Sequence, residues 1–270
     1  MLVLDRNGIA MSDTFLSAAA ARVDEQQPSE IEGPRAIVLV GQTGEGKSTT
    51  GNTLCGRAAF PVDGGLSSVT SEVAHADYLH ISEEGLNEMR VIDTIGLHDT
   101  RLPAIEVMRR FRVFAHLAPC GIDCFLFIVR WGRFRPDHEA AVDAFVANCG
   151  DAALAHTVVV FTCCSLNPAE LSAQLETAAP PSLRRLLSQL PTAPIGVDNV
   201  GRSAEARRAI HAAIEEVCQS RRRYSNTALA EARERHNLEK EEERAAFAAA
   251  VADWRKGSGP VVVEREMPSS

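Results

Sequence analysis

The sequence predicts an α/β protein: a three-layer domain on a mostly parallel sheet with one antiparallel edge strand, followed by a charged C-terminal helix. Three observations carry that expectation. An apolar run, Ala36-Ile37-Val38-Leu39-Val40, leads into a glycine-rich loop and then into a stretch that can be helical. Two further apolar runs, Ile122 to Val129 and Thr157 to Phe161, have the composition of central parallel strands, which are buried on both faces. Helical patterns lie between the runs, the alternation that builds a doubly wound sheet.

In chain order, residues 1–33 read as a flexible tail with an Ala-rich helical piece near Thr14 to Val23. The first strand is Ala36 to Val40. The helix after the loop runs to about Cys55, where Gly56 is a natural stop. Residues 60–71 are rich in Gly and Ser and read as a long surface or switch loop. Glu72 to Leu79 and Met89 to Ile92, parted by Glu84-Gly85, read as a hairpin whose outer strand is the antiparallel edge. Pro103 to Leu117 carries apolar residues at helical spacing.

Pro136 opens a helix that Gly150 stops. Two helical stretches follow, Ala169–Ala178 and Ser182–Leu190, split by Pro180-Pro181. Ile195-Gly196-Val197 is a short last strand. Ser203 is the expected cap of a helix reaching Cys218.

From Ser220 to Trp254 the chain is charge-dense and lacks Pro and Gly, which reads as a solvated, coiled-coil-like helix. Phe247, Val251 and Trp254 share one face, a stripe expected to dock on the core. The expected domains are therefore 1–33, a tail; 34–219, the α/β domain; 220–256, a helical extension; and 257–270, a disordered tail.

The loop itself, Gly41 to Ser48, reads GQTGEGKS, the G-x-x-x-x-G-K-S pattern of a P-loop NTPase. Gly44 and Gly46 permit backbone turns that aim successive N–H groups at an anion, and the following helix adds its positive end. Gly41, Gln42, Thr43, Gly44, Glu45, Gly46 and Thr49 complete the cradle. Lys47 would reach the β- and γ-phosphates, and the Ser48 hydroxyl would ligate Mg²⁺. Asp93-Thr94-Ile95-Gly96-Leu97 follows the third strand. There Asp93 would hold Mg²⁺ through water, and the Gly96 amide would meet a γ-phosphate, contacts that vanish on hydrolysis.

GQTGEGKSTTGNTL, Ser67-Ser68-Val69-Thr70, DTIGL, Gly132-Arg133-Phe134-Arg135 and Val160-Phe161-Thr162 together resemble the immunity-associated, AIG-type GTPases. Relatives of that group include the septins and the chloroplast import receptor GTPases. The resemblance spans about residues 35 to 200 and implies GTP/GDP and Mg²⁺ as ligands. It implies Thr70 as a Mg²⁺ ligand in the triphosphate state and Arg133-Phe134 as the family's box beside the switch. It also implies Arg112 as an arginine that reaches a partner's nucleotide across a dimer; the plain alternative is a solvated helix residue.

Three positions depart from the family pattern. Ile95 stands where Pro is usual. Leu97 stands where Ras-like enzymes place a water-orienting glutamine, so hydrolysis is expected to be slow. Ser165 stands where T-x-x-D supplies the aspartate that pairs with guanine, after Thr162-Cys163-Cys164. A serine cannot make that bidentate, charge-assisted contact, a loss of roughly 1.5–3 kcal/mol. Asp198-Asn199, near the family's base-stacking loop, offers Asp198 as the candidate substitute.

The formal net charge of −8 argues against nucleic-acid binding. No signal peptide is expected, nor any apolar run near the ~20 residues of a membrane span. The seven cysteines are scattered and read as small buried residues of a reducing compartment, hence a cytoplasmic location. The expected protein is a slow GTPase switch that forms a homodimer or oligomer through its nucleotide face and serves an unknown protein effector. The alternatives are a non-catalytic scaffold of the same fold and an ATP-using P-loop enzyme.

Overall fold

The structure, a computed structural model, describes residues 33–62, 73–82, 85–94, 115–132, 136–219 and 223–255. Most of the expected helix at Pro103 to Leu117 lies outside them. The strands are β1 (Arg35–Val40), β2 (Ala74–Ser82), β3 (Gly85–Asp93), β4 (Cys124–Arg130), β5 (Thr157–Thr162) and β6 (Ile195–Val197). The helices are α1 (Lys47–Cys55), α2 (Pro136–Cys149), α3 (Pro168–Ala178), α4 (Pro181–Leu187), α5 (Ser203–Cys218) and α6 (Thr227–Arg255).

Among the described residues the strands form one sheet in the order β2-β3-β1-β4-β5-β6. Every neighbouring pair is parallel except β2 with β3, so the expected antiparallel edge strand is present. Because side chains alternate along a strand, each central strand feeds two layers. Val38, Val40, Phe125, Phe127, Val159 and Phe161 join one buried cluster, with Phe145, Leu171 and Leu183 from α2, α3 and α4. Ile37, Leu39, Leu126, Ile128, Val158 and Val160 join the other, with Leu54 from α1 and Ile210 and Ile214 from α5.

Two helix starts differ from expectation. Ser203 is the first residue of α5, not its cap; Arg202 holds the cap position, and its side chain makes no capping hydrogen bond. The reason is the tight turn before it, where the Arg202 amide donates to the Asp198 carbonyl at 3.1 Å. The charged helix begins at Thr227 rather than near Ser220 because the chain first returns to the sheet. Tyr224 bridges to Ile122, Arg223 bonds to Asp123 at 3.2 Å, and Asn226 then caps α6 through the Leu229 amide at 3.0 Å.

Residues Gly33–Arg233 form one compact unit, and the chain from Glu234 onward belongs to a second. In the second unit the description covers the rest of α6, where Val251 is buried; the Trp254 side chain lies outside it. Among the described residues no helix is long and apolar enough to cross a membrane.

Candidate functional site

β1 lies between β3 and β4, the point where the chain's order in the sheet reverses. In open α/β sheets the crevice beyond such a point is where ligands bind. The loop from Gly41 to Gly46 fills it. Gly41 has φ +136°, and a Cβ there would run into the Ile128 carbonyl of β4. Gly46 has φ +100°, and a Cβ would lie 3.3 Å from the Thr162 side chain at the end of β5. Both positions need glycine for conformation and for close approach.

Ser48, in the first turn of α1, donates its hydroxyl to the Asp93 carboxylate at 2.6 Å. Asp93 ends β3 beside Leu39 and is 1% exposed. Burial pushes its carboxyl above the usual range, against the Ser48 hydrogen bond and the Lys47 charge, which hold it down. Thr94 latches the same strand end by donating to the Leu39 carbonyl at 2.6 Å. Lys47 lies back over the loop, its ammonium 2.8 Å from the Gln42 carbonyl. Burial lowers the Lys47 pKa, partly offset by Asp93 and Glu45.

Glu45 is more than a backbone member of the cradle. Its carbonyl accepts the Thr162 hydroxyl at 2.7 Å, and its buried carboxylate accepts the Arg130 amide. His138 Nε2 of α2 lies 3.3 Å from the same carboxylate. The sequence marks His138 by no local pattern, and Thr94 only as part of the DTIGL stretch, with no role of its own.

At the end of β5, Cys163 takes a left-handed conformation at φ +53° and is exposed, unlike the buried thiol expected there. Cys164 is buried and anchors the loop by donating its amide to the Val197 carbonyl at 3.0 Å. Ser165 follows, exposed. Asp198 Oδ1 accepts the amides of Val200 at 3.1 Å and Gly201 at 2.9 Å, closing its own turn. Asn199 Nδ2 donates to the Thr50 hydroxyl at 2.9 Å, which itself donates to the Gly46 carbonyl at 2.9 Å. The segment after β6 is thereby tied to the loop.

The structure thus gathers Gly41, Gln42, Thr43, Gly44, Glu45, Gly46, Lys47, Ser48, Thr49, Asp93 and Thr162 around one crevice. Asn199 ties to its rim. Thr70, Gly96, Leu97, Arg112, Arg133 and Phe134 lie outside the described residues.

A glycine-rich loop at the switch point of a mostly parallel sheet, with a strand-end aspartate bonded to its serine, defines a P-loop NTPase domain. The chain belongs to the AIG1 family, which it matches over residues 35–245.

Among curated proteins it is similar to immune-associated nucleotide-binding protein 9 of Arabidopsis thaliana, 30% identical over 60% of this chain and 44% of that one. Protein 7 of the same series is 34% identical over 47% of this chain and 40% of its own length. GTPase IMAP family member 8 of Mus musculus is 29% identical over 47% of this chain and 18% of its own length. The chain spans less than half the length of these relatives.

Among solved structures, Arabidopsis Toc33 in complex with GDP and Mg²⁺ has a TM-score of 0.51 and 17% identity, covering 77% of this chain and 90% of that one. A structure of the chloroplast translocon components atToc33 and psToc159, described by the importance of dimerization for GTPase activity, has a TM-score of 0.54 at 17% identity. It covers 78% of this chain and 91% of that one. At these identities the likeness concerns the fold.

Proposed function

We propose that this chain is a guanine-nucleotide-binding switch that hydrolyses GTP slowly and associates with a second copy through its nucleotide face. The observation that carries the reading is the Ser48–Asp93 contact at 2.6 Å beside the half-buried Lys47. A hydroxyl and a carboxylate are hard oxygen donors suited to Mg²⁺. The buried Asp93 carboxyl, with its raised pKa, is a group that a cation would relieve. The residues present therefore fit the metal: Ser48 and Asp93 would hold it, with Thr70 joining in the triphosphate state. When bound, Mg²⁺ supplies charge neutralisation at the β- and γ-phosphates.

The chain's own groups do the rest. The amides from Gly41 to Lys47 and the start of α1 receive the phosphates, and Lys47 exchanges its contact with the Gln42 carbonyl for them. Gly96 meets the γ-phosphate, so the segments bearing Thr70 and Gly96 respond to the nucleotide state. Leu97 cannot orient water, which leaves hydrolysis slow unless a second copy contributes, with Arg112 the candidate group. Asp198 is the candidate guanine acceptor in place of the aspartate that Ser165 replaces. The free cysteines fit a reducing compartment, and the reading includes a cytoplasmic location and a protein effector.

Ser165 and Leu97 favour one other reading, a non-catalytic scaffold of the same fold. Calorimetric titration with GDP, GTP and ATP in Mg²⁺, with Lys47→Ala as control, separates the two. Selective guanine binding lost in Lys47→Ala supports the switch. Absence of binding by folded protein leaves the scaffold. A hydrolysis rate per protein that rises with protein concentration supports the dimer; a flat rate across a dilution series excludes it.

A further inference from the structure

We propose that Glu45 and His138 form a positioning pair that fixes the crest of the P-loop, so that nucleotide affinity depends on the pair as well as on the phosphate contacts. The inference rests on the nucleotide-binding reading above. Its starting point is a conflict in the sequence: a carboxylate sits inside a loop built to receive an anion. Like charge at such a site opposes binding unless it is compensated elsewhere.

The structure compensates it on the side of the loop that faces β4 and α2. Glu45 is 8% exposed and His138 is 3% exposed. The carboxylate accepts the Arg130 amide at the end of β4 and lies 3.3 Å from His138 Nε2 on α2. The Glu45 carbonyl meanwhile accepts the Thr162 hydroxyl of β5 at 2.7 Å. One loop residue is thus held by two strands and a helix. It immediately precedes Gly46, whose left-handed turn at φ +100° aims the start of α1. A shift of Glu45 therefore moves the amides that would receive the phosphates.

The pair has a signature that ordinary packing lacks. Removing the imidazole takes away the ring nitrogen that lies 3.3 Å from a buried carboxylate. Removing the carboxylate's charge at the same time cancels the defect, because the neutral amide introduced by Glu45→Gln still accepts the Arg130 N–H. His138→Leu should raise the GDP dissociation constant about tenfold or more. It should also speed hydrogen exchange at the Arg130 amide in nucleotide-free protein. The double variant Glu45→Gln/His138→Leu should return the Arg130 exchange rate to within about threefold of the parent, as should His138→Gln alone, which keeps a polar N–H beside the carboxylate.

The experiment is GDP calorimetry together with amide exchange on the full chain. A His138→Leu protein that matches the parent in both readouts, or a double variant whose Arg130 exchange is as fast as in His138→Leu, overturns the proposal. Should His138→Leu not fold, Glu45→Ala tests the same link from the loop side, and an unchanged Arg130 exchange rate there overturns it. A parent that binds no GDP, while Arg130 exchange still follows the pair, sinks the nucleotide reading and keeps the coupling.

Discussion

Ser48 donates its hydroxyl to the Asp93 carboxylate at 2.6 Å, joining the first turn of α1 to the end of β3. Neither the P-loop nor the D-x-x-G stretch defines a metal site alone. The parallel register that sets Leu39 beside Asp93 brings the two together. The pair then tests itself. Asp93→Asn keeps an acceptor for Ser48 and removes a buried charge, so the folded protein should lose no more than about 1 kcal/mol. The gain in GTP affinity on replacing EDTA by Mg²⁺ should shrink about tenfold or more. Calorimetry with and without Mg²⁺ reads the difference. An unchanged Mg²⁺ effect would remove Asp93 from the proposed metal site.

Asp123 fastens the chain's return to the sheet. Its Oδ2 accepts the Ala36 amide at 2.8 Å, and its Oδ1 accepts from Arg223 Nε at 3.2 Å. Arg223 Nη2 also donates to the Gly33 carbonyl at 3.1 Å. Asp123→Ala leaves a buried amide and a partly buried guanidinium without their acceptor, at a cost of about 2–4 kcal/mol. Asp123→Asn should cost about half of that. Urea unfolding gives the answer, and a midpoint unmoved by Asp123→Ala would show that the clasp adds nothing.

Much of this architecture was legible because its signals are local. The apolar runs that became β1, β4 and β5, the P-loop and the antiparallel hairpin all follow from residues within a few positions of each other. What escaped is held by distant partners. Asn199 and Thr50 are 149 positions apart, and Tyr224 returns to Ile122 after most of the domain has been built. Glu45 reads from the sequence only as a member of the cradle, since nothing near it announces Arg130 or His138. Cys163 adopts φ +53° although it is not glycine, a conformation imposed by the anchoring of Cys164 on Val197 rather than by its own preference.

A second cluster makes stability depend on pH. His211 of α5 is 5% exposed and stacks on His80 of β2 with ring centroids 3.6 Å apart. Tyr78 Oη lies 3.5 Å from His211 Nε2, and Glu215 lies 3.2 Å from His80. Burial, followed by the neighbouring His80 and Arg207, pushes the His211 pKa down to about 3. The unfolded chain takes up that proton near pH 6.5, so it binds more protons than the folded one in the interval below. The contribution is intact above about pH 6.5 and lost as pH falls toward 3, at up to about 1.4 kcal/mol per pH unit. Thermal melts from pH 7.5 to 4.5 should show this loss, and His211→Gln should flatten it. Parallel slopes for parent and variant would move the effect to other groups.

The loop after β5 gives the sharpest separation between readings. β5 ends at Thr162, Cys163 turns through a left-handed conformation, and Cys164 is clamped to Val197. Ser165 therefore emerges from an anchored loop at an exposed position. A carboxylate there could accept two guanine N–H groups from a backbone already held in place. Ser165→Asp should raise GDP affinity roughly 10- to 100-fold, with ADP affinity unchanged, because adenine lacks that pair of donors.

Asp198→Ala addresses the other candidate. Its Oδ1 already accepts the Val200 and Gly201 amides. The variant thus loosens a turn as well as removing an acceptor, and a loss of affinity alone does not identify it as the guanine partner. Loss of the GDP-over-ADP ratio does, because a loosened turn lowers affinity for both nucleotides together. If the ratio survives Asp198→Ala and rises in Ser165→Asp, the parent binds its nucleotide chiefly by the phosphates, and the base site is one substitution away from being rebuilt.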